Sequence, residues 1–296
     1  MLQTMVSGHR PPLDLTRDPA PGPSNLLTSA PMTCYFRCKW DSVNYSCSYD
    51  CVFTAFAWIY LHATEDWRVT WTGESPVTKI LSHHFKTILH ALKGPANNQT
   101  DWSMAALFSY GRDAFRDILS KENPTMFKYH GQVNAYLTDI LVLLSCGQTS
   151  SQYFSFFTCC GSPSCNLKIT TPAGAPFMLS TNTWINITQS KDLLYHKPLQ
   201  EWITRYFSHK TSSSLHCCSR CSRQCLQTHL FLKPPWIWFD VFVDQTHVAL
   251  PSFKISLSSY TYWLTAVMYG NSYHFIARLS TPLGTWWHYD GQVNSG

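Results

Sequence analysis

Between Asn44 and Tyr60 a polar segment, Asn44-Tyr45-Ser46, meets Cys47 and gives way to an apolar, aromatic run in which Val52, Phe53, Phe56, Ile59 and Tyr60 recur at helical spacing. That change of pattern predicts a helix that begins at Cys47. A thiol in the first turn of a helix faces unpaired backbone N–H groups and the positive end of the helix dipole. Both stabilise a thiolate and pull its pKa below the ordinary value of about 8.5. The same segment also fits a small buried thiol beside an apolar helix, as Cys51 would be one turn later. The rest of the chain must decide between a nucleophile and a packing residue.

Composition narrows the choice. The chain has 296 residues, 45% of them apolar, with 12 Trp, 15 Tyr and 17 Phe, enough for one large core or two ordinary ones in a soluble protein. A net charge of +5 is spread through a chain with 13% charged residues and no Lys/Arg run, so a nucleic-acid partner is not expected. No apolar run approaches the roughly 20 residues that span a bilayer, and no basic segment leads into an apolar one at the start. The expectation is a cytoplasmic or nuclear protein, off the membrane, and monomeric. In a reducing compartment its twelve cysteines read as metal ligands, a nucleophile and buried thiols.

Residues 1–33, rich in Pro, Gly and Ser, read as a disordered leader. Cys34 and Cys38, spaced C-x3-C beside Trp40, fit a strand or one half of a metal site. Val77, Ile80, Leu81, Phe85, Ile88, Leu89 and Leu92 mark an amphipathic helix stopped by Gly94-Pro95; it also carries His83, His84 and His90. A second helix is expected from an Asp101 cap, with Leu107, Phe108, Phe115, Ile118 and Leu119 on one face. A third is expected to carry Val133, Leu137, Ile140, Leu141 and Leu144. Residues 34–146 thus form a helical lobe. From Gly147 onward, aromatic, β-branched and Thr-rich segments broken by Gly and Pro predict strands, interrupted by one helix at about Pro198 to Phe207.

Two cysteine knots lie in this β region: Cys159, Cys160 and Cys165, then Cys217, Cys218, Cys221 and Cys225. Cys218-Ser219-Arg220-Cys221 has the C-x2-C spacing that lets two thiolates take one edge of a tetrahedral Zn²⁺; Cys160 and Cys165, spaced C-x4-C, complete the expected structural site. The competing reading is a former site surviving as packed thiols, with His209 and His216 as replacement ligands. A closed four-ligand site would staple hairpins and do no chemistry.

Near the C-terminal end, Tyr262 to Arg278 reads as strand, Gly270-Asn271-Ser272 turn and strand, and Trp286-Trp287-His288-Tyr289-Asp290-Gly291 as a third strand. That hairpin would carry His274 into a sheet and bring Asp290 beside it. An imidazole can take a thiol proton, and a carboxylate on its far nitrogen fixes the tautomer. Alone, His274 would read as a satisfied sheet histidine and Asp290 as a turn residue.

The three segments together resemble the ubiquitin-specific protease class of papain-like cysteine peptidases. Asn44–Phe56, Tyr110–Leu119 and His274–Arg278 look most like the divergent peptidase domains of fungal, often transposon-associated, open reading frames. The resemblance spans about residues 35 to 296. It implies an α+β fold: a helical thumb (34–146), zinc-ribbon fingers (147–233) and an antiparallel β palm (234–296). It implies Cys47 as nucleophile, His274 as general base and Asp290 as the residue orienting it. Asn44, or Ser42, would be the side-chain oxyanion donor. The implied activity is cleavage after the C-terminal glycine of ubiquitin or a ubiquitin-like protein through a thioester, with Tyr273, Phe275 and Trp286 as candidate cleft walls. Tyr273, where the class usually has Gly, and the irregular first knuckle leave a second expectation: a zinc-stabilised binding module that holds such a protein without cutting it.

Overall fold

The computed structural model of the chain describes residues 2–8, 38–73, 75–94, 101–130, 135–145, 154–160, 165, 168–172, 177–179, 200–201, 204, 220–222, 225–231, 236–241, 254–257, 260–271, 274–280 and 286–293. The chain divides into two compact units, one of Met1–Gly8 with Ser145–Leu264, the other of His9–Leu144 with Thr265–Gly296.

The second unit is built around α1, Cys47–His62, in which every residue from Cys47 to Leu61 is buried. A helix buried on all sides is a central one. Accordingly α3 (Pro76–Lys93), α4 (Asp101–Glu122) and the strand β9 (His274–Ser280) all pack against it. The packing is aromatic. Phe53 lies 5.1 Å from Phe85 and 6.0 Å from Phe108, ring centre to ring centre, and Trp71 stacks on Phe56 at 5.6 Å and on Phe85 at 5.9 Å. Gly111 of α4 makes the close approach possible, because a Cβ there would meet the Phe53 ring at 2.5 Å.

Local chemistry sets the helix ends. Ser75 and Thr78 form a reciprocal capping box that spans Pro76 in the first turn, and α3 is capped at its end by Gly94. A short helix, α2 (Glu65–Thr72), starts where the Thr64 side chain accepts from Trp67 N–H and buries Trp67 and Trp71 on one face. Asp101, expected as a cap, is the first residue of α4, and α5 spans Leu137–Ser145.

The same unit holds the second half of β8 (Tyr260–Asn271), β9 and β10 (Trp286–Tyr289) as antiparallel neighbours, in register Asn271↔His274 and Trp286↔Ser280. Trp58 Nε1 of α1 donates to the carbonyl of Ser280 at 2.8 Å, fixing the helix along β9.

In the first unit β1 (Leu2–Gly8) pairs antiparallel with β6 (Trp236–Val241), and β4 (Phe177–Leu179) lies parallel to β6. Leu2–Gly8 is therefore a strand, where a disordered leader was expected over residues 1–33; residues 9–37 lie outside the described residues. The edge pair β7 (Lys254–Leu257) and the start of β8 is also antiparallel. Of the helix expected at Pro198–Phe207, Gln200, Glu201 and Thr204 are described and helical. The Gln200 carboxamide accepts from Ser256 N–H at 2.6 Å and donates to its carbonyl at 3.0 Å, pairing with β7 as a strand would.

A separate three-stranded antiparallel sheet, β3 (Lys168–Pro172), β2 (Phe154–Cys160) and β5 (Cys225–Phe231), completes this unit. No helix among the described residues is long and apolar enough to cross a membrane.

Candidate active site

Cys47 is the first residue of α1 and is 3% exposed. The preceding turn owes its shape to one carboxylate. Asp41 accepts from the backbone N–H of Val43 at 3.0 Å and of Asn44 at 3.1 Å, and from Asn44 Nδ2 at 2.7 Å. Burial raises the Asp41 pKa, but these hydrogen bonds outweigh it and hold the carboxyl below its ordinary value. Tyr45 at φ 47° lies in the left-handed region, a conformation that costs a side-chain-bearing residue energy and clusters at functional sites. Asn44, expected as an oxyanion donor, thus uses one amide proton within the turn; Ser42 is exposed on it.

His274 and Asp290 are brought together by the register of β9 and β10. His274 Nε2 donates to Asp290 Oδ1 at 2.8 Å, and the same oxygen accepts from Gln292 N–H at 3.0 Å. Burial pushes the Asp290 carboxyl up, yet the bonds from Gln292 and His274 prevail and hold it below its ordinary value, so it is an anion at neutral pH. With Nε2 committed to Asp290, Nδ1 is the other ring nitrogen. It is buried and has no hydrogen-bond partner among the described residues.

The first turn of α1 lies beside the turn that carries Asp290. A Cβ on Gly291 would stand 3.6 Å from Asp50 Oδ2, and the Asp290 charge contributes to raising the Cys51 pKa. That contribution is minor, since burial is the main cause. Cys51 is fully buried, and its thiol is held well above the ordinary value by burial, then by Asp50, Cys47 and Cys38. Cys38 is similar: fully buried, raised by burial, with its thiol donating to the Phe108 carbonyl at 3.7 Å. Neither has the environment of a nucleophile; Cys34, the other half of the C-x3-C pair, lies outside the described residues.

Of the candidate cleft walls, Phe275 is half-buried with its ring over Gly270, where a Cβ would clash at 2.5 Å; Trp286 is 42% exposed; and Tyr273 lies outside the described residues.

The expected zinc ligands fall in the first unit. β2 ends at Cys160 and β5 begins at Cys225, and the two are Cα partners, so the segments carrying both cysteine knots leave the same end of the three-stranded sheet. Cys165 is buried and Cys221 half-buried, while Cys218 lies outside the described residues. No group of three or more Cys, His, Asp or Glu arranged for a metal is found among the described residues.

One part of the site lay outside the sequence reading. Asp50, the one fully buried carboxylate in the mainly apolar α1, pairs with Arg112 of α4, which is 4% exposed. Burial pushes Asp50 up to about 6 despite Arg112 and the hydroxyl of Ser46. Arg112, though buried, is kept protonated by Asp50 first. The available signal was a carboxylate inside an apolar run, which demands a buried partner.

No protein-family model matches the chain, and no curated protein is similar to it.

Proposed function

We propose that the chain is a papain-like cysteine peptidase resembling deubiquitinases, which cleaves the bond after the C-terminal glycine of ubiquitin or a ubiquitin-like protein. Cys47 Sγ, as thiolate, attacks the glycyl carbonyl carbon, and His274 Nδ1–H passes its proton to the leaving amine. Water, deprotonated by the same nitrogen, then hydrolyses the thioester. Asp290 holds the ring with Nε2 towards itself. The backbone N–H of Cys47 and the Asn44 side chain are the donors proposed for the oxyanion.

The observation that carries this reading is the His274 ring. One nitrogen is bound to a carboxylate, the other is buried and unpartnered, and the strand that holds it packs on the helix whose first residue is Cys47. A buried polar atom without a partner carries a cost, and a thiolate at the helix N-terminus is the partner that chemistry would supply. The choice of ubiquitin-like substrates rests on the sequence resemblance.

A structural Zn²⁺ held by Cys160, Cys165, Cys218 and Cys221 belongs to the same proposal. Supporting it, the β2–β5 register directs both knots from one end of a sheet. When bound, the metal would crosslink the two knots and supply folding free energy.

One observation favours the rival, a binding-only descendant: Cys47 is nearly closed off from solvent. The two readings separate in a turnover assay. Ubiquitin carrying a C-terminal coumarin amide, and ubiquitin-like proteins so derivatised, are offered to the full chain and to Cys47→Ala. Release of coumarin only by the unsubstituted chain supports the peptidase. Saturable binding of the conjugate by both proteins, with no release, establishes the binding module instead.

A further inference from the structure

On either side of Cys47 lies a buried polar cluster that the proposed chemistry does not use. Ser46, at the N-cap of α1, makes no side-chain cap bond to the helix. Its hydroxyl instead donates to Asp50 Oδ2 at 2.7 Å and accepts from Asp41 N–H at 2.9 Å and Arg112 Nη1 at 3.0 Å. Arg112 Nη1 also reaches Asp50 Oδ1 and the carbonyl of Lys39 at 3.0 Å, while its Nε donates to Asp113 at 2.6 Å. The cluster therefore ties α4 to the segment 39–46 at two points and to α1 at a third.

Its other side meets the turn that carries the acid. Tyr289, 5% exposed, donates to the Cys38 carbonyl at 3.4 Å, and a Cβ at Gly291 would stand 2.9 Å from the Tyr289 hydroxyl and 3.6 Å from Asp50 Oδ2. A side chain at 291 would crowd the Tyr289 hydroxyl, and the turn lies within van der Waals reach of the Asp50 carboxylate. Ser46 and Asp50 flank Cys47 in the first turn of α1, and Tyr289 and Gly291 flank Asp290.

A central helix already buried by aromatic packing does not need a charge at this point, and an ion pair replaced by apolar residues of similar volume is often no less stable. What a fully hydrogen-bonded buried pair adds is one fixed geometry among the segments it joins.

We propose that Asp50 is a positioning residue for the reaction. Clamped by Arg112 and Ser46, and abutting the Tyr289–Gly291 turn, it sets Cys47 in register with His274 and Asp290. This rests on the reading of those three residues as nucleophile, base and orienting acid.

The test is the rate at which iodoacetamide alkylates Cys47, followed by mass spectrometry of its peptide, in the full chain from about pH 4 to pH 9. A thiolate held by an imidazolium reacts on a plateau that begins well below the ordinary thiol pKa of about 8.5. The unsubstituted chain is expected to show that plateau and His274→Ala to lose it. Ser46→Ala and Asp50→Asn are expected to lower it about tenfold or more, since displacements of about 1 Å cost that much or more, while melting cooperatively. Arg112→Lys, which keeps the charge but not the fork, is expected to fall between. Should Asp50→Asn fail to fold, Ser46→Ala, which removes one hydroxyl and keeps the ion pair, carries the test alone. A full plateau in both Ser46→Ala and Arg112→Lys overturns the positioning role and leaves the triad standing. No plateau in the unsubstituted chain overturns the triad, and the positioning role with it.

Discussion

The two ends of α1 are held by opposite means. At its C-terminal end Phe56, Trp58 and Tyr60 sit among rings: Trp71 lies 5.6 Å from Phe56 and 5.8 Å from Tyr60, and Trp58 is 5.9 Å from Trp287. At its N-terminal end Ser46 and Asp50 sit in a network of charge and hydrogen bonds closed by Arg112. Burial of these rings is driven mainly by the hydrophobic effect, which is non-directional and is the dominant favourable contribution to folding. The network is directional and returns little net stability, because two ions must first be desolvated. The costly interaction stands beside the proposed nucleophile and the cheap one a few turns away, so stability and geometry are carried by different ends of one helix.

That division can be broken by experiment. A loss of stability as large as any expected lies at the aromatic end: Trp71→Ala, which empties the space between Phe56 and Phe85, should cost about 3–5 kcal/mol by urea denaturation. Below its melting point this variant should keep the Cys47 alkylation rate. A proportionate fall in that rate would show that the two ends are not independent.

Gly111→Ala is next. A Cβ placed 2.5 Å from the Phe53 ring must push α4 away from α1, at an expected cost of about 1–3 kcal/mol. Because Arg112 is the following residue, this variant should also disturb the polar end, giving a loss of alkylation rate that Trp71→Ala does not show.

The polar end is then separable by pH. Asp50 is raised from the ordinary carboxyl value of 3.8 to about 6 in the folded chain. Between those values the folded state binds a proton that the unfolded state has lost, so stability attributable to Asp50 falls as pH rises through this window and is level above about 6. Comparing urea midpoints of the unsubstituted chain and Asp50→Asn across that range isolates it. The difference should move against the unsubstituted chain with rising pH; a difference that moves the other way would place Asp50 among ordinary stabilising carboxylates. Asp290, held low, acts in the opposite sense: its contribution is present above the ordinary carboxyl value and lost as pH falls through its folded value.

The smallest effect is expected on the outer face of α4. Lys121 and Asp117, 67% and 49% exposed, form an i,i+4 pair that should contribute no more than about 0.5 kcal/mol, read as the change in urea midpoint for Lys121→Ala. Set beside Arg112→Ala, which strands the buried Asp50 charge of α1 and for which about 3–5 kcal/mol is expected, it contrasts an exposed with a buried ion pair of α4.

What the sequence made legible follows from the range of the interactions involved. The start of α1 at Cys47, the stop of α3 at Gly94 and the β8–β9 hairpin all arise from caps, periods and turns within a few residues. α2 has such a cap, Thr64, but only Trp67 and Trp71 bury from its eight residues, too few for a period to stand out. β1 forms because β6 pairs with it from more than two hundred residues away, and the composition of the first thirty residues pointed elsewhere. The proximity of His274 and Asp290 was readable as register between neighbouring strands. The Arg112 partner of Asp50 was not: it is 62 residues distant, and no local pattern encodes it.

Cys47, made reactive by His274, is proposed to attack the C-terminus of a ubiquitin-like protein. The most direct test of this is labelling of the full chain by ubiquitin bearing a C-terminal vinyl electrophile, with Cys47→Ala, Cys51→Ala and His274→Ala alongside. One covalent adduct is expected, on Cys47, kept in Cys51→Ala and lost in both other variants. An adduct that persists in Cys47→Ala, or a folded chain that ubiquitin and ubiquitin-like electrophiles all leave unlabelled, would contradict it.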